Sequence, residues 1–148
     1  MSLKKLNILL ADDDIDDCNF FKEALEALPI TTELKTVHDG DELLKYLAEN
    51  TTQLPHVLFL DINMPRKNGF ECLAEIKENE KLKALTVIML TTSFTRGIDL
   101  EDNLKGTLTR MGAAAYIRKP NDFNDLKEVI HQALIKVEEK INTGLEEN

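Results

Sequence analysis

Five short strand-like runs alternate with helical patterns along this chain, and that alternation constrains the fold more than any other feature. The runs are Leu6–Ala11, Glu33–Val37, Val57–Leu60, Val87–Leu90 and Ala113–Ile117. Most of them are continuously apolar, which is typical of strands that are covered on both faces. Strands that alternate with helices favour a parallel sheet with right-handed crossovers. The sequence therefore predicts an α/β domain of (βα)5 type, with a doubly wound, parallel, five-stranded sheet.

The segments between these runs carry apolar residues at helical spacing, and several residues are suited to end or begin a helix. We expect the apolar period of the fifth helix to end at Ile141, and we interpret residues 142–148 as a polar C-terminal tail. The expected boundary residues are Pro29 after the first helix, Asp39 or Asp41 at the start of the second, Asp99 and Gly112 at the two ends of the fourth, and Asn121 or Asp122 before the fifth.

Length and charge limit the class of protein. A chain of 148 residues fits one domain, so residues 1–148 are interpreted as a single unit. The 27 acidic residues outnumber the 18 basic ones and give a net charge of −9, which opposes binding to nucleic-acid phosphates. No apolar run is long enough to span a membrane, and Cys18 and Cys72 form no disulfide framework. We therefore expect a cytoplasmic protein that binds neither nucleic acid nor membrane.

Candidate site residues follow four of the five predicted strands. Asp12 and Asp13 come after the first strand, Asp61 after the third, Thr91 after the fourth and Lys119 after the fifth. In open α/β sheets, ligands bind outside the carboxyl ends of the strands, at the point where the strand order reverses. In a flavodoxin-like order the first and third strands flank that point. The three aspartates should therefore converge there.

Three carboxylates at close range need a counter-charge. Mg²⁺ suits such a site because it prefers octahedral oxygen ligation by a few carboxylates and several waters. Asp13 and Asp61 are expected to be direct ligands, and Asp12 is expected to hold a coordinated water. The backbone carbonyl of Asn63 would complete the set.

A phosphoryl group in transfer needs positive charge and hydrogen-bond donors around a nucleophile. Lys119 would bring an ammonium group to the carboxylates, and Thr91 would bring a hydroxyl. Single aspartates after a strand are usually helix caps or turn residues. We interpret Asp14, Asp16 and Asp17 in that way.

At this point the residues resemble a known family, the receiver domains of bacterial two-component response regulators. The likeness extends from Leu6 to about Val137, and the chain looks most like receivers of the stand-alone, single-domain kind. The residues that carry the resemblance are the segment Leu58–Pro65 with Asp61 inside it, Gly69, the acidic pair Asp12 and Asp13, the switch hydroxyl of Thr91, the aromatic Tyr116, and the pair Lys119 and Pro120.

The resemblance implies the strand order 2-1-3-4-5 and a signalling function. A sensor histidine kinase or a histidine phosphotransfer protein would donate a phosphoryl group to Asp61, with Mg²⁺ as cofactor. The domain would assist its own phosphorylation and dephosphorylation without being a turnover enzyme. Thr91 would then move toward the phosphoryl group and Tyr116 would turn inward. The altered surface would signal to a downstream protein partner, and a phosphorylation-dependent dimer is among the expectations.

Two other functions compete with this interpretation. A haloacid-dehalogenase-like phosphatase also carries acidic residues after its first strand, which Asp12, Asp13 and Asp14 imitate. That function leaves Asp61 unexplained, and the chain has no cap domain. A pseudo-receiver that only binds partners is the second alternative, and the intact set of Asp61, Thr91 and Lys119 speaks against it.

One stretch departs from the family pattern. The segment from Thr91 to Lys119 is longer than usual by more than one helical turn. We place the extra residues in a loop at Phe94–Ile98, ahead of the fourth helix.

Overall fold

A computed structural model describes residues 5–91 and 98–146 of the chain. Within that part, five strands alternate with five helices. The strands are β1 (Leu6–Ala11), β2 (Thr32–Val37), β3 (Val57–Asp61), β4 (Val87–Thr91) and β5 (Ala115–Arg118). The helices are α1 (Ile15–Glu26), α2 (Gly40–Glu49), α3 (Gly69–Glu78), α4 (Ile98–Arg110) and α5 (Phe123–Glu146).

All five strands are parallel, and their order across the sheet is β2-β1-β3-β4-β5. The predicted flavodoxin-like (βα)5 fold is therefore confirmed. β1 pairs with β2 on one side and with β3 on the other, with Ala11 opposite Leu60. The chain runs outward from β1 to β2 and then crosses back to β3. Because the direction of winding reverses there, a crevice forms at the carboxyl ends of β1 and β3.

Two apolar clusters cover the two faces of the sheet. Successive residues of a strand point to opposite faces, so Leu58 and Leu60 join one cluster while Val57 and Phe59 join the other. The first cluster includes residues of α2, α3 and α4, and the second includes residues of α1 and α5. Phe59 packs edge-to-face on Phe21 of α1 with their ring centroids 5.0 Å apart. Burial on both faces explains why the strands are continuously apolar.

Polar side chains cap the N-termini of α1, α2, α3 and α5. Asp39 caps α2 by accepting a hydrogen bond from the backbone N–H of Glu42 at 2.8 Å. Asp122 accepts in the same way from the Asp125 N–H at 3.0 Å, just before α5. Gly112 has a φ of 104° after α4, in the left-handed region that a glycine adopts without strain. Asp39 is therefore the cap of α2 and not Asp41, and Asp122 is the cap of α5 and not Asn121. The prediction that α4 ends at Gly112 is confirmed.

Some boundaries differ from the sequence predictions. α4 begins at Ile98, so Asp99 lies inside the helix, and its prediction as the N-cap is wrong. A capping preference is a local bias that a shift of one residue can override. α5 continues to Glu146 beyond the apolar period, since a helix needs no apolar stripe where it leaves the core. The proposed loop from Phe94 lies mostly outside the described residues. In the described part of the chain, the helices are too short or too polar to cross a membrane.

Candidate functional site

The predicted site residues lie at one edge of the sheet. Asp61 is the last residue of β3 and Thr91 is the last residue of β4, while Asp12 directly follows β1. All three are buried, with exposed fractions of 4% for Asp61, 7% for Thr91 and 1% for Asp12. Asp13 is exposed beside them. Burial of polar side chains is unusual in a domain core and indicates a functional edge.

The loop from β1 to α1 is held by hydrogen bonds around Asp12. One carboxylate oxygen of Asp12 accepts from the Asp14 N–H at 3.0 Å, and the Asp14 carboxylate in turn accepts from the Asp17 N–H at 3.1 Å. Cys18 Sγ and His38 Nδ1 lie 3.5 and 3.1 Å from the Asp12 carbonyl oxygen. The predicted cap role of Asp14 is confirmed. The backbone that carries Asp12 is therefore fixed from α1 and from the end of β2.

The loop from β3 to α3 is equally tight around Asp61. The Asn63 N–H donates to Asp61 Oδ1 at 3.1 Å, and the Gly69 N–H donates to the Ile62 carbonyl oxygen at 2.8 Å. A β-carbon on Gly69 would lie 2.5 Å from the Asp61 carbonyl oxygen. Only a glycine fits at that approach, which gives a physical reason for the glycine in the predicted phosphorylation loop.

Lys119 connects the carboxylates from the opposite side of the crevice. Its Nζ lies 2.5 Å from Asp12 Oδ2, 3.3 Å from Asp17 Oδ2 and 3.5 Å from Asp61 Oδ2. The side chain is only 13% exposed. The Lys119 N–H donates to the Thr91 carbonyl oxygen at 2.8 Å, which joins the ends of β4 and β5. The ammonium group is thus placed among the carboxylates by the sheet itself.

Burial and charge act against each other at this site. Burial raises the pKa of Asp61 to about 7, the Lys119 ammonium opposes that rise, and the Asp12 charge adds to it. Burial lowers the pKa of Lys119, but the charges of Asp61 and Asp12 outweigh it, so the pKa lies above its ordinary value. Lys119 is therefore held as a cation. Because the pKa of Asp61 is raised, additional positive charge at the site favours its ionised, nucleophilic form.

The donor set suits a hard divalent cation. Oxygen atoms of Asp12, Asp13 and Asp61 lie within 4.8 Å of one another. A group made only of carboxylate oxygens, with one residue open to water, matches the ligand preferences of Mg²⁺ or Mn²⁺. Asn63 lies next to this cluster through its N–H bond to Asp61. The convergence that the sequence predicted for the three aspartates is present.

Tyr116 belongs to a strand and not to a loop at the carboxyl edge of the sheet. It is the second residue of β5, opposite Met89 of β4, and its half-buried side chain packs against the cluster that includes residues of α2, α3 and α4.

The contact of Asp17 with Lys119 does not follow from the sequence analysis, which interprets Asp17 as a cap or turn residue. The two residues are 102 positions apart in the chain, and a local sequence pattern does not indicate a contact at that separation.

Comparison with known proteins decides the family. A family model described as the response regulator receiver domain matches residues 8–131. The chain belongs to that family. Response regulator Rcp1 of Synechocystis is 32% identical over 127 residues, which cover 83% of this chain and 82% of that protein. A probable methanogenesis regulatory protein of Methanothrix harundinacea, FilR2, is 31% identical over 128 residues, covering 84% and 79% of the two chains.

Solved receiver structures agree with this assignment. The Mn²⁺-bound form of Rcp1 superposes with a TM-score of 0.70 at 30% identity and covers 84% of this chain and 88% of that one. The phosphorylated cyanobacterial phytochrome response regulator RcpA gives 0.73 at 31% identity, with coverage of 85% and 89%. The protein is a response regulator receiver, a signalling domain of two-component systems. Nothing in these findings favours a phosphatase or a pseudo-receiver.

Proposed function

We propose that Asp61 accepts a phosphoryl group from a phosphohistidine of a sensor histidine kinase or a histidine phosphotransfer protein. The observation that carries the proposal is the placement of the Asp61 carboxylate. It is 4% exposed, 3.5 Å from the Lys119 ammonium, and clustered with the oxygens of Asp12 and Asp13. A carboxylate in that setting is fixed, partly desolvated and next to positive charge, as a nucleophile in phosphoryl transfer must be.

The chemistry follows from the groups at this edge. An Asp61 oxygen attacks phosphorus, the bond from phosphorus to the histidine nitrogen breaks, and that nitrogen keeps the electron pair. Lys119 balances charge on the phosphoryl oxygens, and the Thr91 hydroxyl donates to one of them. The acyl phosphate that results is later hydrolysed by water, which returns the Asp61 carboxylate and inorganic phosphate. The domain thereby assists both its phosphorylation and its dephosphorylation.

Mg²⁺ is the cofactor that we propose for the carboxylate cluster. Asp13 and Asp61 are the proposed direct ligands, Asp12 the holder of a coordinated water, and the Asn63 carbonyl a further ligand. When bound, the cation would neutralise part of the phosphoryl charge. The Mn²⁺-bound form of the related Rcp1 supports a divalent cation at receivers of this kind.

The acceptor is tested with a small phosphodonor. Purified protein with acetyl phosphate and Mg²⁺ should gain one phosphoryl group by intact mass spectrometry, and Asp61→Asn should gain none. Asp122→Asn is the matched control, because it changes an exposed aspartate that caps α5 and does not line the site. Equal phosphorylation of Asp61→Asn and the unaltered protein would refute the assignment.

The metal ligands are tested by titration. Asp13→Asn removes one formal charge from the cluster, so the dissociation constant for Mg²⁺ should rise about tenfold or more. Amide chemical shifts around Asp61 report the binding. An unchanged dissociation constant would exclude Asp13 as a ligand, and would leave the role of Asp61 open to the mass-spectrometric test.

The output of the site is a conformational change. Thr91 would move toward the phosphoryl group, and Tyr116 would pack further inward behind it, which alters the surface around β5. The support for this step is that Thr91 ends β4 while its carbonyl oxygen accepts from the N–H of Lys119, the residue that follows β5. The altered surface would bind a second copy in a phosphorylation-dependent dimer, or a separate downstream protein.

We also propose a cytoplasmic location for the protein, because the phosphodonors of two-component systems act in the cytoplasm.

A further inference from the structure

Lys119 contacts a carboxylate that is not part of the acidic cluster. Among the described residues, the cluster consists of Asp12, Asp13 and Asp61. The Lys119 ammonium also lies 3.3 Å from Asp17, in the first turn of α1. The side chain of Asp17 is 37% exposed, so this ion pair is partly screened, whereas the Asp12 carboxylate is 2% exposed.

We propose that Asp17 is a positioning residue that keeps the Lys119 ammonium over the site when the acidic cluster holds a divalent cation. The proposal rests on the function proposed above for Asp61. It assigns Asp17 no contact with the phosphoryl group. Asp17 acts through Lys119 alone.

Charge balance gives the reason. Without a cation, Asp12, Asp17 and Asp61 all attract Lys119. A divalent cation on the cluster would neutralise Asp12 and Asp61 and would repel the ammonium. Asp17 lies outside the cluster and keeps its charge. It is then the carboxylate that still holds Lys119 from the α1 side.

The Lys119 side chain borders open space on the side of α1 and α5. A cavity of about 230 Å³ lies between α1 and α5 and is lined by Asp17, Lys119, Phe20 and Ile130, among others. The lining is mostly apolar, and Asp17 is a carboxylate that faces this space from α1, so Lys119 has room to shift and Asp17 is a charge that can hold it. The backbone of Asp17 is fixed, because its N–H donates to the Asp14 carboxylate in the capped first turn.

The chain offers a matched control one residue away. Asp16 lies in the same first turn of α1, carries the same charge and is exposed. The described carboxylates that contact Lys119 are those of Asp12, Asp17 and Asp61. Asp16→Asn therefore removes the same charge from the same helix end without touching the proposed contact. Asp17→Glu keeps the charge and tests rescue.

The first readout is spectroscopic and needs no phosphodonor. The Lys119 side-chain methylene signal next to Nζ, assigned with Lys119→Gln, is followed by NMR while Mg²⁺ is added. We expect a single, shifted signal at saturation in the unaltered protein, in Asp16→Asn and in Asp17→Glu. In Asp17→Asn the signal should broaden or move to the position of a solvated lysine. The same signal in Asp17→Asn and the unaltered protein at saturating Mg²⁺ would overturn the proposal.

The second readout is the rate of phosphorylation by acetyl phosphate at saturating Mg²⁺. Asp17→Asn should lower the maximal rate about fivefold, as expected for the loss of one partly exposed ion pair. Asp16→Asn and Asp17→Glu should remain within about twofold of the unaltered protein. Equal loss in Asp16→Asn and Asp17→Asn would show a general charge effect and refute the positioning role. If the unaltered protein is not phosphorylated, the function proposed for Asp61 fails instead.

Discussion

β3 and β5 both end at the site, but they hold their residues in different ways. Every residue of β3 is buried, and the strand is paired on both sides, with β1 and β4. β5 is an edge strand whose partner in the described sheet is β4, and its residues are half-buried or exposed. Asp61 thus ends the central strand, whereas Lys119 follows the edge strand.

A phosphorylation switch has two requirements, and the difference in burial and pairing between β3 and β5 lets each strand meet one of them. A nucleophile must be held in one place, and a strand packed on both faces and paired on both edges does that. A group that responds to phosphorylation must move at low cost, and an edge strand with partial burial permits it. We infer that the constant part of the site lies at β3 and the adjustable part at β5.

Truncation of one apolar residue in each strand should give the largest difference. Leu60 of β3 is fully buried, so Leu60→Ala should lower the free energy of unfolding by about 2–5 kcal/mol. Ile117 of β5 is only half-buried, so Ile117→Ala should lower it by about 1 kcal/mol. Urea denaturation measures both. Equal losses would mean that the edge strand is held as firmly as the central one.

Two glycine substitutions sharpen the comparison, one at the start of α3 beside Asp61 and one within α4. In Gly69→Ala the new methyl group would meet the Asp61 carbonyl oxygen at 2.5 Å and Ile62 Cα at 2.7 Å, both of them backbone atoms. We expect a loss of about 1–3 kcal/mol in stability and phosphorylation slowed at least tenfold, because the loop that holds Asp61 must shift.

Gly106→Ala is the control for that substitution. Among the described residues, its methyl group would meet the Arg110 guanidinium at 3.3 Å, the far end of a flexible side chain in α4. Stability should rise by about 0.5–1 kcal/mol, since alanine favours a helix over glycine. Phosphorylation should be unaltered. A tolerated Gly69→Ala would show that the loop after β3 is less constrained than the contacts indicate.

The proposed acceptor should itself affect stability in a way that depends on pH. Burial raises the pKa of Asp61 to about 7, so the ionised carboxylate destabilises the fold above that pH. In the presence of a chelator at about pH 8, Asp61→Asn should raise the free energy of unfolding by about 1–2 kcal/mol. The difference should shrink as the pH falls from about 7 toward the ordinary carboxyl pKa, because the folded protein then takes up a proton. A less stable variant at about pH 8 would show that the ion pair with Lys119 outweighs burial.

Most of the fold could be predicted from the sequence because burial on both faces makes the strands apolar throughout. Val57–Leu60 and Val87–Leu90 were located to within one residue, while the start of β5 was placed two residues early, at Ala113 instead of Ala115. Ala113 belongs to the turn after α4, where its N–H donates to the Leu108 carbonyl oxygen. An apolar residue in a turn looks the same in sequence as one in a strand.

The convergence of the three aspartates was also predictable, since parallel strands end at one edge of the sheet. The partners of Lys119 were not all predictable. The contacts with Asp12 and Asp61 follow from the strand ends, but the contact with Asp17 depends on the angle at which α1 leaves the sheet. His38 beside the Asp12 carbonyl is a further contact of that kind. Such contacts are set by tertiary packing.

The parallel arrangement of the strands has a practical consequence for engineering. Every candidate site residue except Tyr116 lies at or just beyond the carboxyl ends of the strands, so the opposite edge is available for inserted sequence. The turn at Thr51–Gln53, in the segment before β3, is partly exposed at that edge. It is separated from Asp61 by at least the length of β3, which is about 13 Å from Val57 to Asp61 at a rise of about 3.3 Å per residue. A fluorescent reporter or affinity tag inserted there would follow the protein in a living cell and leave its phosphorylation chemistry intact.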